Sequence, residues 1–286
     1  MWCTTNTNTN GEPAREMEMN FTKLAEAFWS EGYVRLGKLF VETEVQAIEF
    51  SIKNCEKMNE HYTHVKKKFN AGAYPSFETI FVMNDVFTDN IFALACRKKE
   101  ILDFISFAFH DDAYLYHSKV PLKYPSMPGF KYHQDYFYWY QMGCLFPKMA
   151  TCFIALDQSK QENGCLKFIP KSHLCGRIDH ILYDGFSDSE ANPERVDYLK
   201  EVYGEMYVEL EPGEVVIFHC NVLHASDTNL SDRSRIGLLG CYNTKSNSPI
   251  NTNWSHPQYQ KQTRFSGIIG SEYINALPNF GLSFQK

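Results

Sequence analysis

The feature that most constrains the fold of this chain is a change in sequence pattern near residue 110. From there to about residue 245, short apolar runs rich in β-branched and aromatic residues alternate with turn-forming clusters such as "QENG" and "EPGE". The apolar runs cover residues 113–120, 150–157, 165–170, 206–219 and 235–243. Many short strands with few helices between them predict an antiparallel barrel or jelly roll.

The N-terminal part has the apolar spacing of helices. Residues 21–31 and 42–57 each carry an apolar stripe at helical intervals, and "YVRLGKLF" between them predicts a short strand and turn. Residues 176–205 are interpreted as a partly helical insertion between strands. Because we find no repeat or interdomain linker, we expect a single domain with a helical part at about 21–110 and a β-core at about 111–245.

The two ends of the chain carry weaker signals. Residues 1–20 are polar and are expected to form a disordered leader. Residues 246–286 form a tail that we expect to serve as a lid or a subunit contact, or to pack on the barrel. The oligomeric state is left open.

Charge and cysteine content exclude several classes of protein. The net charge of −6 argues against a nucleic-acid-binding protein, which needs a basic surface. The nine cysteines are isolated in sequence with no C-x-x-C pair, and no export signal or membrane-spanning stretch is present. We therefore expect reduced thiols and an intracellular, cytoplasmic protein that acts on a small molecule, without a membrane or nucleic-acid partner.

The segment "YHQDYFYWY" (132–140) places His133 and Asp135 two residues apart. In a strand, residues i and i+2 point to the same side, so both side chains would face one space. An imidazole and a carboxylate are two of the three ligands of a 2-His-1-carboxylate iron site. The alternative is a His–Asp hydrogen bond that closes a turn. If the strand continues through Tyr136–Tyr140, alternate rings line the site or pack behind it.

A second segment, residues 211–240, supplies the missing groups. It contains an apolar strand, His224, Ser226 two residues later, and Arg235 at the start of another strand. A hairpin would bring Arg235 back beside His224, where its guanidinium can clamp a carboxylate with two hydrogen bonds. A metal with open positions, a cation and a hydroxyl donor are what 2-oxoglutarate binding requires.

These residues resemble the phytanoyl-CoA dioxygenase family of Fe(II)/2-oxoglutarate-dependent oxygenases, which includes ectoine hydroxylase. The resemblance rests on His133-x-Asp135, His224, Ser226 and Arg235, and on "QENGCLKFIPKSH" (161–173), where Lys171 replaces the family's usual Gly. It implies a double-stranded β-helix core of jelly-roll or cupin type. It also implies Fe(II) held by His133, Asp135 and His224, with 2-oxoglutarate and O2 as co-substrates and ascorbate as a stimulant.

The resemblance suggests further site residues. His117 stands where the family commonly has a Gln that seats the co-substrate, and Thr151 aligns with another co-substrate contact. Trp139 corresponds to a Trp near the active site of ectoine hydroxylase, and Tyr138 is its neighbour. The remaining candidates for substrate binding are basic residues, namely Lys119, Lys123, Lys171, Arg177 and Arg264.

The basic candidates suit an acidic small molecule, so we expect hydroxylation of a small polar, carboxylate-bearing metabolite, in secondary metabolism, with release of succinate and CO2. One alternative is oxidative cyclisation of an N-prenylated glutamate derivative, as in kainoid synthases of this family. A non-catalytic cupin-like binding protein and a zinc hydrolase also stay open, although the latter gives Arg235 and Ser226 no shared role. A halogenase is disfavoured because Asp135 is retained.

Overall fold

The structure is a computed structural model that describes residues 19–72, 80–83, 89–184, 188–250 and 264–270. The expected leader lies outside the described residues except for its last two positions. Most of the expected tail also lies outside them, but residues 264–270 contact the helical part of the chain, where the Ile269 amide donates to Glu44 at 3.1 Å. No helix in the described ranges is long and apolar enough to cross a membrane.

The strands follow the predicted runs. In chain order they are β1 (Tyr33–Lys38), β2 (Ile80–Met83), β3 (Ala113–Lys123), β4 (Ala150–Ala155), β5 (Leu166–Phe168), β6 (His180–Asp184), β7 (Asp188–Ala191), β8 (Met206–Val208), β9 (Glu214–His219), β10 (His224–Ser226) and β11 (Arg235–Thr244). A six-stranded sheet has the order β1-β9-β4-β11-β3-β2, and a three-stranded sheet has the order β10-β5-β8. All the ladders in both sheets are antiparallel, which confirms the predicted jelly-roll core of the double-stranded β-helix type.

The core between the two sheets follows from the alternation of side chains along each strand. Phe153 of β4 and Val216 and Phe218 of β9 point inward, where they pack against Phe168 and Val208 of the smaller sheet. The intervening residues of the large sheet, such as Ile154 and Ile217, point to its other face.

Helices cover that other face of the large sheet. They are α1 (Phe21–Glu31), α2 (Glu42–Asn54), α3 (Glu56–Asn70), α4 (Ile91–Cys96) and α5 (Lys99–Phe109). Two further helices, α6 (Asp135–Gln141) and α7 (Pro193–Tyr203), belong to the β-core region. Phe28 and Phe104 are fully buried against the sheet. The helical stripes at 21–31 and in 42–57 are confirmed, and α1 ends at Gly32, which takes the left-handed φ of +87° that favours glycine.

The expectation of a strand through residues 133–140 is wrong. Asp135 begins helix α6, and the rings of Tyr136, Phe137 and Trp139 are buried in one cluster with Tyr116 of β3. The strand preference of aromatic residues depends on how their side chains pack. Here the aromatic side chains pack against β3 from a helix. The expected insertion at 176–205 forms the β6–β7 hairpin and α7, so it is partly helical as predicted.

Candidate metal centre

The two histidines of the site are joined through their main chains. The amide of His133 donates to the carbonyl of His224 at 3.1 Å, and the amide of His224 donates back to the carbonyl of His133 at 3.0 Å. His133 lies just before α6 and His224 opens β10, so this bridge attaches the His133 segment to the smaller sheet. The ring centroids are 4.1 Å apart.

Asp135 completes the set from the first turn of α6. One ligand atom from each of His133, Asp135 and His224 lies within 4.8 Å of the others, and all three residues are buried. Two imidazoles and one carboxylate are the donor set of non-haem Fe(II) oxygenases, so these residues fit a ferrous ion. The predicted trio is therefore brought together, although by a helix start rather than by a strand.

Backbone carbonyls select the tautomer of each histidine. His133 Nδ1 lies 2.8 Å from the Lys131 carbonyl, and His224 Nδ1 lies 3.0 Å from the Val222 carbonyl. Because a carbonyl only accepts, each Nδ1 carries the proton and each Nε2 presents its lone pair to the metal. Burial, followed by the neighbouring His224, lowers the pKa of His133 to about 3, and burial also lowers the pKa of His224. Both rings are thus neutral at physiological pH, as metal binding requires.

The Asp135 carboxylate is held on both oxygens. The Thr151 hydroxyl donates to Oδ2 at 2.5 Å, and the Lys119 ammonium lies 3.9 Å from Oδ1. Burial would raise the pKa of Asp135, but Lys119, then the two histidines and the Thr151 hydroxyl, outweigh burial and lower it. Thr151, which the resemblance assigns to the co-substrate, thus lies directly against a metal ligand.

Gln134, the residue between the first two ligands, is a site residue that the sequence analysis missed. Its side-chain amide donates to the carbonyls of Gly176 and Asn221 at 2.8 and 2.7 Å, and it accepts from the Ile178 amide at 2.7 Å. It is fully buried and fixes the H-x-D segment to two loops. No sequence signal distinguished it from an ordinary polar spacer.

Strand β3 presents a basic inner face. His117, Lys119 and Lys123 pair in register with Cys241, Leu239 and Arg235 of β11. Because the intervening Val120 and Leu122 pack in the cluster on the helical side, the alternation directs the three basic residues inward. The ring of His117 lies 6.2 Å from that of Trp139, so two of the predicted residues are neighbours.

The expected hairpin between His224 and Arg235 is wrong, because β10 and β11 belong to different sheets. Lys123 connects Arg235 with the β10 strand. It pairs with Arg235 along β3 and β11, and its ammonium donates to the hydroxyl of Ser226 on β10 at 2.8 Å. Arg235 is buried, and within the described part of the chain its Nε and Nη1 have no hydrogen-bond partner. A buried guanidinium with unused donors indicates a site for an anion.

The remaining substrate candidates are scattered. Trp139 is buried in the aromatic cluster, and Tyr138 packs 6.2 Å from the His133 ring and contacts the Ser189 hydroxyl at 2.7 Å. Arg177 is exposed, with its guanidinium over the Tyr140 ring at 4.6 Å.

Two of the basic candidates are engaged elsewhere. Lys171 takes a left-handed φ of +64°, where the family pattern has Gly, and pairs with Glu31 at 3.6 Å. Arg264 pairs with Asp103 on α5. Neither contact brings a charge to the metal centre.

The jelly-roll fold and the His–Asp–His site define the class: an iron- and 2-oxoglutarate-dependent dioxygenase, which is an oxidoreductase. Among solved structures, EctD from S. alaskensis with 2-oxoglutarate and 5-hydroxyectoine matches with a TM-score of 0.65 at 18% identity, over 90% of this chain and 88% of that one. EctD with bound Fe gives a TM-score of 0.64 over 90% of each chain, again at 18% identity.

The sequence comparisons identify the family. The chain belongs to the phytanoyl-CoA dioxygenase (PhyH) family, whose model matches residues 28–237. A methylphosphonate hydroxylase from Gimesia maris is 27% identical over 219 residues, which are 75% of this chain and 78% of that protein. A 2-aminoethylphosphonate dioxygenase from the uncultured bacterium HF130_AEPn_1 is 29% identical over 182 residues, 62% of this chain and 63% of that protein.

Proposed function

We propose that this dioxygenase hydroxylates a C–H bond of a small polar metabolite that carries a carboxylate. The observation that supports this substrate class is the position of Lys119. Its ammonium lies 3.9 Å from Asp135 Oδ1, on the inner face of β3, in a side chain that is 18% exposed. A metal ion on Asp135 would leave Lys119 as a nearby positive charge that favours an anionic substrate.

In this proposal the iron and 2-oxoglutarate supply the oxidative chemistry, and the side chains bind and orient the reactants. Ferrous iron and 2-oxoglutarate supply the O2 activation that couples oxidative decarboxylation, to succinate and CO2, to attack on the substrate. His133, Asp135 and His224 hold the metal, and Arg235 and Ser226 bind the distal carboxylate of 2-oxoglutarate. Lys119 orients the substrate anion.

The test is a substrate panel measured by O2-dependent succinate release from Fe(II)-loaded enzyme. The panel holds amino acids and small carboxylates, N-prenylated glutamate derivatives, phosphonates, ectoine and neutral analogues. With the best anionic substrate, Lys119→Met should raise KM about 10-fold or more, as expected for loss of one charged hydrogen bond. Lys53→Met, on the exposed face of α2, should change nothing. A neutral best substrate, or an unchanged KM in Lys119→Met, would contradict the proposal.

A second candidate is kainoid-synthase-like oxidative cyclisation of an N-prenylated glutamate derivative. The observation that favours it is the basic inner face of β3, because such a substrate carries several carboxylates. Product mass separates the two reactions, since hydroxylation adds an oxygen atom and cyclisation removes two hydrogens. The cupin-like binding protein and the zinc hydrolase both predict that no member of the panel releases succinate.

A further inference from the structure

Gln134, which separates the first two ligands, is held through its main chain as well as its side chain. Its backbone is extended, with φ −114° and ψ 130°, so the amides of His133 and Gln134 point to opposite sides of the segment. On one side the His133 amide donates to the His224 carbonyl. On the other side the Gln134 amide donates to Nε2 of His180 at 3.1 Å. Because His180 opens β6, this bond joins the ligand segment to the β6–β7 hairpin.

Three hydrogen bonds form a closed ring that fixes the imidazole of His180. His180 Nδ1 lies 2.9 Å from the Ile178 carbonyl. Because a carbonyl only accepts, Nδ1 carries the proton, and Nε2 is the acceptor that the Gln134 amide needs. The Ile178 amide in turn donates to Gln134 Oε1 at 2.7 Å. Ile178 thus sets the tautomer of His180 and also holds the side chain of Gln134.

The ring of His180 also contacts the first turn of α6. It stacks on the Phe137 ring, with the centroids 4.1 Å apart and an interplanar angle of 10°. Phe137 lies two residues after Asp135, and its amide donates to the Gln134 carbonyl at 3.2 Å. His180 therefore holds the chain between His133 and Asp135 and again just beyond Asp135. Displacing this imidazole would release the chain on both sides of the Asp135 carboxylate.

We propose that His180 is a positioning residue of the metal centre: by accepting the Gln134 amide it sets the relative orientation of His133 and Asp135. It acts through the main chain rather than as a ligand. Residues that orient metal ligands raise the affinity for the metal, because the ligands are already in place when it binds. The inference rests on one part of the proposed function, namely that His133, Asp135 and His224 hold the metal.

The competing explanation is that His180 only anchors the β6–β7 hairpin on α6. The second strand of this hairpin has an anchor of its own, because the Ser189 hydroxyl on β7 lies 2.7 Å from the Tyr138 hydroxyl on α6. An anchor contributes to stability alone, so loss of either contact would lower Tm and leave metal binding unchanged. Loss of a positioning residue would also change the coordination geometry and the metal affinity.

The experiment is anaerobic titration of the full-length apoprotein with Co(II), whose visible absorption reports coordination geometry and whose binding curve gives the affinity. Two amide variants separate the nitrogens of His180. The side-chain amide of His180→Gln reaches the position of Nε2 and can accept from Gln134, whereas that of His180→Asn reaches only the position of Nδ1. His180→Asn should weaken Co(II) binding about 10-fold or more and shift the absorption bands. His180→Gln should keep the affinity and the bands close to wild type.

His180→Phe is a second test, because it keeps a flat ring against Phe137 but has no acceptor, and it should show the same loss as His180→Asn. Ser189→Ala is the matched control: it loosens the same hairpin and should lower Tm with wild-type affinity and spectrum.

A folded His180→Asn or His180→Phe with wild-type affinity and spectrum would overturn the inference. A His180→Gln or a Ser189→Ala that loses as much affinity as His180→Asn would overturn it too. If His224→Ala binds Co(II) as tightly as the wild type, the assignment of the metal ligands in the proposed function fails instead.

Discussion

The contact between Thr151 and Asp135 allows a quantitative test of the metal centre. Thr151 donates its hydroxyl to Asp135 Oδ2 at 2.5 Å, and both residues are buried. Thr151→Val keeps the shape of the side chain and removes only that donor. A hydrogen bond to a charged group contributes about 1.5–3 kcal/mol, and about 1.4 kcal/mol corresponds to a factor of ten in a binding constant.

The expected result is a metal affinity reduced by roughly 10- to 100-fold, which is also the usual effect of losing a residue that orients a metal ligand. Without the hydroxyl, the pKa of Asp135 rises, because that hydrogen bond is one of the contacts that lower it. Protons should therefore compete better with the metal in the variant. The measurement is anaerobic titration of the apoprotein with Fe(II) against a chelator of known affinity.

Thr244→Val is the matched control. Thr244 is fully buried on β11, and its Oγ1 has no hydrogen-bond partner among the described residues. Removing that hydroxyl should leave metal affinity unchanged and should keep or slightly raise the free energy of unfolding. Equal metal affinities in the two variants would refute the role given to Thr151.

Three further predictions concern stability. The pKa of His219 is lowered from 6.5 to about 3, mainly by burial, so the unfolded chain binds the proton first and stability falls as pH drops through that window. Between pH 7 and pH 5, the free energy of unfolding measured with urea should fall by about 2 kcal/mol less in His219→Gln than in the wild type. A Cβ at Gly129 would lie 1.6 Å from the Ser226 carbonyl oxygen. Gly129→Ala should therefore lower Tm far more than Gly37→Ala, where a Cβ meets no atom within 4 Å and the cost is only the left-handed φ of +79°; equal shifts would contradict this. Saturating Co(II), at about 100 times its Kd, should stabilise the wild type by about 2.7 kcal/mol, and not His224→Ala; a chelator should reverse the effect.

Periodicity in the sequence was enough to predict the two-part architecture. The short β-rich runs after residue 110 form the two sheets, and the stripes at 21–31 and 42–57 form α1 and α2. The H-x-D spacing left a His–Asp hydrogen bond open, and it was the resemblance to the dioxygenase family that predicted the cluster of His133, Asp135 and His224.

The errors arose where tertiary packing overrides local preference. The aromatic run after Asp135 is compatible with a strand or a helix, and in the fold it packs as a helix in one cluster with Tyr116. The contact between Thr151 and Asp135 depends on where α6 lies against β4, which spacing along the chain cannot encode. The inward direction of Lys119 and Lys123 could be predicted from the sequence, because residues two and six positions after His117 in a strand point to the same face.

The reciprocal amide–carbonyl pair between His133 and His224 has a consequence for redesign. Peptide groups, whose positions do not depend on residue type, set the separation of these two ligand positions. Replacing either imidazole with another donor should therefore leave the frame intact, so that a new coordination sphere can be installed without rebuilding the scaffold around it.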